Sequence, residues 1–178
     1  MKPAIHRHSG LTLIEMLAVV AIVGILAGLL VPAIIAVRNR ARAVMARTEV
    51  KSLETAWRKY YSEYGRWPSG MVENAAYAVS DDMWQLLKGD NVDGMNPKGL
   101  IFMQFSRFDT SNNPVNPWWL PGALSAPFYY FVQFDVNHDD TIDAGTPGNP
   151  STTGIRRPVI TWTVNPKETN DVLWSWQP

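Results

Sequence analysis

The 178-residue sequence contains no cysteine, which excludes a disulfide framework, a thiolate metal site, a cysteine nucleophile and a lipid-modified N-terminal cysteine. Histidine is almost as scarce: only His138 lies beyond residue 8. No nucleophile, base and orienting group can be assembled around it, so His138 reads as a turn residue and the chain as a non-enzyme. Net charge is missing too, since 16 Lys and Arg balance 16 Asp and Glu. The balance conceals an asymmetry, because residues 1–66 carry ten basic and four acidic side chains and residues 67–178 carry six and twelve. A second long apolar run is also lacking, so one membrane crossing is all the chain offers.

That one run is pronounced. Of the 22 positions from 16 to 37, 19 are hydrophobic and none is charged. As a helix they span roughly 33 Å, enough for a hydrocarbon core of about 30 Å. An ordinary secretory signal has its cleavage site after the apolar run, whereas here the small pair Ser9-Gly10 precedes it. A cut at Gly10 would keep the membrane helix. Gly24 and Gly28 form a small-xxx-small face, and Pro32 sits late in the run, where a kink is tolerated.

Beyond the run, Ala41, Val44, Thr48, Leu53, Ala56, Trp57, Tyr60 and Tyr64 continue at helical spacing among basic residues. We read one continuous helix from residue 11 to about Tyr64, closed by Gly65 and Pro68. Eleven of the thirteen prolines follow Trp67, so the remainder must be short elements. A brief helix is expected at 82–88 with Ser80 or Asp81 as cap, and strands at 100–105, 128–134, 159–164 and 172–176. Residues 109–127 read as an irregular loop. The fold class is α+β: one long N-terminal helix, membrane-spanning in its first half, packed on a small antiparallel sheet.

The residues Gly10-Leu11-Thr12-Leu13-Ile14-Glu15-Met16-Leu17, followed by the apolar helix, resemble the processing and methylation motif of type IV prepilins and type II secretion pseudopilins. The resemblance implies a pilin-like fold, cleavage by prepilin peptidase between Gly10 and Leu11, N-methylation of Leu11, and an assembly role for Glu15. Leu11 stands where phenylalanine is usual. Residues 56–68, with their Tyr-Gly-x-aromatic-Pro corner, are similar to the helix exit of major pseudopilins. The implied divisions are a leader at 1–10, a transmembrane and assembly helix at 11–37, its amphipathic second half at 38–66, and a globular β-rich domain at 67–178.

Glu15 has a physical argument of its own. A charged group in an apolar span costs on the order of 2.5–3.5 kcal/mol near the centre and is rarely kept without a partner. The α-amino group created at Leu11, in the same or a neighbouring subunit, is a candidate partner. Glu15 near the end of the span also has a plainer reading, in which it reaches interfacial water.

Asp135, Asn137, Asp139, Thr141 and Asp143 occupy positions 1, 3, 5, 7 and 9 of a calcium-type loop. Asp140 stands where the sharp turn wants glycine, and Thr146 replaces the closing glutamate, so an EF-hand proper is not expected. Resemblance to major pseudopilins implies Ca2+ here as a staple; a hydrated acidic turn is the alternative.

The implied function is a structural subunit of a type II secretion pseudopilus that polymerises through its N-terminal helix. Its expected partners are itself, prepilin peptidase, an inner-membrane secretion or pilus assembly platform and membrane lipid, with no nucleic acid. The implied location is the bacterial inner membrane, single-pass, with the C-terminal domain in the periplasm. Arg38, Arg40, Arg42 and Arg47 outnumber Lys2 and Arg7, the opposite of the positive-inside bias; they suit lipid headgroups or filament neighbours. The alternatives are a type IV pilus subunit for adhesion or DNA uptake, and a tethered carbohydrate-binding module using the acidic turn with Trp118 and Trp119 as an exposed platform, although such tryptophans are more often local core.

Overall fold

The protein is described by a computed structural model covering residues 12–73, 75–120, 129–144, 152–166 and 172–175. Helix α1 (Leu13–Tyr64) contains the apolar run, and the chain divides into two compact units, Met1–Ala41 and Arg42–Pro178.

In the first unit the apolar side chains of α1 face outward; Leu13, Leu17, Val20 and Leu29 are each more than half exposed. One stretch of this helix is long and apolar enough to cross a membrane, and none of it is buried within the protein. Pro32 lies inside the helix, where it removes the hydrogen bond that Gly28 would otherwise accept.

In the second unit α1 becomes a core helix. Ala46, Val50, Leu53, Trp57 and Tyr60 are buried, a 4-3-4-3 spacing that keeps one face inward. The helix stops at Tyr64 because Gly65 adopts φ +66°, with its N–H donating to Tyr61 O at 2.8 Å. Against the buried face lies an antiparallel sheet ordered β1 (Tyr77–Ala78), β2 (Tyr130–Phe134), β5 (Val159–Val164) and β6 (Val172–Trp174). Register pairs Val132 with Thr161 and Trp162 with Trp174. Tyr130, Val132 and Phe134 join the α1 core, where Trp57 meets Phe134 edge-on at 5.2 Å. Phe131, Ile160 and Trp162 pack on the other side with Ile142 and Ile155 of a second hairpin, β3 (Ile142–Ala144) and β4 (Thr152–Ile155). Burial of both faces explains why β2 and β5 read as near-continuous apolar runs.

Helix α2 (Asp81–Lys88) begins after Ser80 and ends at Gly89, whose φ is +117°. Residues 100–105, expected as a strand, pair with none. Phe102 and Met103 both donate their N–H groups to Leu87 O, at 2.8 and 3.2 Å, so this segment caps α2 instead of extending the sheet. Residues 109–120 form the expected irregular loop, folded by Asp109, whose Oδ1 accepts from the N–H groups of Ser111 and Asn113 at 2.9 Å each.

Candidate functional site

Two places hold the residues singled out in the sequence. At the N-terminus, Gly10 and Leu11 lie outside the described residues. Glu15 sits in the first turn of α1, and its Oε2 accepts from Thr12 N at 2.7 Å and Thr12 Oγ1 at 2.8 Å. Thr12 Oγ1 in turn accepts from Glu15 N at 3.3 Å. This is a reciprocal capping box, in which a threonine and the glutamate three residues on satisfy each other's orphan donors. The Thr-x-x-Glu spacing is the signal in the sequence that marks this box. Among the described residues Oε1 has no hydrogen-bond partner, which leaves one oxygen for a cation.

The acidic loop follows β2. Asp135 is 2 % exposed, and its carboxylate accepts from Asp139 N at 3.3 Å and Asp140 N at 3.0 Å. Asn137 Oδ1 accepts from Asp139 N at 3.0 Å, and Asp139 Oδ1 from Thr141 N at 2.8 Å and Thr141 Oγ1 at 2.6 Å. The Thr141 hydroxyl, and then its N–H, hold the Asp139 carboxyl below the usual carboxylate range. His138 and Asp140 take φ of +61° and +63°, so an aspartate fills the turn where glycine was expected. The loop is tied down from outside as well: Trp67 Nε1 donates to Asp135 O at 2.6 Å, and Glu73 Oε2 accepts from Val136 N at 2.5 Å and Asn137 N at 3.0 Å. Trp67 belongs to the helix-exit corner, so that motif positions this loop.

The structure thus brings Asp135, Asn137, Asp139 and Thr141 into one turn. Asp143 falls on β3, and its side chain lies outside the described set. Among the described residues, no three His, Cys, Asp or Glu side chains converge as a metal cluster. The donors are all oxygen, which fits a hard cation such as calcium, while the loop's own N–H groups occupy much of their accepting capacity. Arg156 and Arg157 line the same recess of about 450 Å³ as Asp139, Asp140 and Thr141.

Other side chains fall elsewhere. Trp118 is not an exposed platform: it is 4 % exposed and packs with Ala43, Ala46 and Leu173, while Trp119 is half-buried. The small side chains of α1 leave room for the Trp118 indole. His138 Nδ1 stands 3.4 Å from Tyr61 Oη, and its ring packs 5.6 Å from that phenol, a turn residue on an aromatic surface.

The chain thus combines an outward-facing apolar helix long enough to cross a membrane, a capped glutamate in the first turn of that helix, and a small α+β body. Residues 5–31 match the prokaryotic N-terminal methylation motif. The chain is 30 % identical over 122 residues to type II secretion system core protein G of Pseudomonas aeruginosa, covering 68 % of this chain and 76 % of that protein. It is 33 % identical over 108 residues to a fimbrial protein of Neisseria meningitidis, covering 61 % of each. A 61-residue match at 43 % identity to type IV major pilin protein PilA of Myxococcus xanthus covers 34 % of this chain and only 28 % of that protein. No solved structure matches. The chain belongs to the family of type IV pilins and type II secretion pseudopilins.

Proposed function

We propose that this chain is a structural subunit of a type II secretion pseudopilus. The observation that carries the choice is the match to core protein G, which extends over 76 % of that protein, well past the methylation motif and into the globular body. In this reading prepilin peptidase cuts after Gly10, Leu11 becomes the methylated N-terminus, and residues 11–37 hold the subunit in the inner membrane with its globular domain in the periplasm. An assembly platform then draws the helix into a filament, and helix–helix packing replaces lipid contact. Glu15 pairs with the new amine through the oxygen its cap leaves free, which fixes axial register. The experiment is the intact mass of the protein from its native membrane, together with Glu15→Val. Loss of residues 1–10 plus one methyl group, and a variant that inserts but does not polymerise, are expected. An unprocessed mass, or normal filaments from the variant, refutes the reading.

The fimbrial and pilin relatives favour a second reading, a type IV pilus subunit. Deleting the gene separates the two: protein export fails in the first case, and surface fibres vanish in the second.

Calcium at the acidic loop belongs to the proposal. Asp135, Asn137, Asp139 and Thr141 would hold it, and the ion would supply the cross-link that a cysteine-free domain cannot form.

A further inference from the structure

We propose that the methionine-lined recess beside α2 receives the basic face of α1 from a second copy of this chain, with Arg47 and Lys51 as the docking cations. The inference rests on the filament reading and identifies the surfaces that meet.

The recess has a volume of about 290 Å³ and is lined by Met71, Met83, Met95 and Tyr77, with Asp82 and Asp93 among its walls. Met95 is fixed in place, since its Sδ accepts from Ser69 N at 3.3 Å and Ser69 Oγ at 3.4 Å. Unbranched thioethers adapt their shape to an inserted chain, and the ligand they suit here has an aliphatic stem and a cationic end, because the only charges on the wall are carboxylates. Lysine and arginine side chains fit that description.

Among the described residues, five cations of the second unit are ion-paired within it, and other charges, Asp82, Asp93, Arg47 and Lys51 among them, are not. Arg58 and Arg157 share Glu54, Lys98 pairs with Glu63, Lys88 with Asp90, and Arg107 with Glu49. Among the described residues Asp82 and Asp93 have no ion-pair partner, and neither do Arg47 and Lys51. Arg47 and Lys51 are exposed and lie one helical turn apart on α1, and neither lines the recess. The larger asymmetry points the same way in the processed chain: residues 11–66 carry eight basic and four acidic side chains, and residues 67–178 carry six and twelve. Two different patches that complement each other between copies make a heterologous contact. Such a contact propagates head to tail into an open helical array when its rotation does not close. A filament needs that geometry.

The test uses the full-length chain. Asp82→Lys with Asp93→Asn, the latter chosen because asparagine tolerates the φ of +48° at that position, should lower the sedimentable polymer by about tenfold or more, as like charges meet across the contact. Arg47→Asp with Lys51→Asp should do the same, and the chain carrying all four changes should recover polymer. Because the chain has no cysteine, single-cysteine pairs report position cleanly. Cysteine at 47 or 51 combined with cysteine at 69 or 82 should give, in at least one pairing, an oxidant-dependent ladder of multimers that a Lys98→Cys partner does not. Polymer unaffected by either charge change, or no recovery in the fourfold variant together with no ladder, overturns the docking while leaving the filament reading standing. An unmodified parent that never polymerises overturns both.

Discussion

Tyr130 is fully buried on β2, and its hydroxyl donates to Glu49 Oε2, while Arg107 donates to the other oxygen of the same carboxylate. Burial, and after it the Glu49 charge, push the phenol far above its ordinary value near 10. In the unfolded chain the same phenol releases its proton at about pH 10. Its contribution is therefore fully present below pH 10, and above that the folded protein holds one more proton than the unfolded one. Stability then falls by about 1.4 kcal/mol per pH unit for this group, or about 2 kcal/mol between pH 10 and pH 11.5. Tyr130→Phe removes a hydrogen bond to a charged group, a cost of about 1.5–3 kcal/mol at pH 8, and removes that slope as well. Tyr60 is raised by burial too, so the wild type alone does not isolate the effect and the comparison must be between the two proteins. Urea unfolding in detergent, followed by tryptophan fluorescence, should show the gap between them narrowing by about 2 kcal/mol from pH 10 to pH 11.5. A gap that stays constant over that range refutes the assignment.

Asn96 is completely buried and ties three segments together: its Nδ2 donates to Leu86 O and Leu100 O at 3.1 and 2.9 Å, and its Oδ1 accepts from Leu100 N at 3.0 Å and from the Tyr64 hydroxyl. Asn96→Ala leaves these groups unpaired and should cost on the order of 3 kcal/mol in urea unfolding. Asp140→Gly should instead raise stability, by about 0.5–1 kcal/mol, because it relieves a left-handed aspartate at φ +63° while adding chain entropy to the unfolded state. Calcium should raise the thermal midpoint of the wild type and chelator should reverse the rise; Asp135→Ala should melt at the same temperature in both.

The core helix was legible because its signal is local. The apolar spacing through Leu53, Trp57 and Tyr60 is a property of the sequence, and burial of those residues follows once any sheet covers them. Residues 100–105 misled for the opposite reason: their apolar run suits a strand, but the nearest acceptor was Leu87 O at the end of α2, a proximity no periodicity records. A core role for Trp118 is the commoner expectation for such a residue, but the partners that bury it, Ala43 and Ala46, lie some seventy positions away on α1, beyond the reach of any local pattern. Gln133 shows the same limit from the other side, as a polar residue completely buried on β2 between two apolar layers.

Glu15 was legible as the residue proposed for assembly, and the structure shows it in a local role as well. Within one chain its carboxylate closes the capping box with Thr12, so the helix start is already formed before any partner arrives. Preorganisation of this kind lowers the entropic cost of a later contact. An amine meeting the free oxygen finds an acid held in one rotamer at the helix end, where a negative charge is also favoured by the helix dipole. In the filament we propose, the cap and the assembly contact reinforce each other, because the two hydrogen bonds that anchor one oxygen fix the direction of the other.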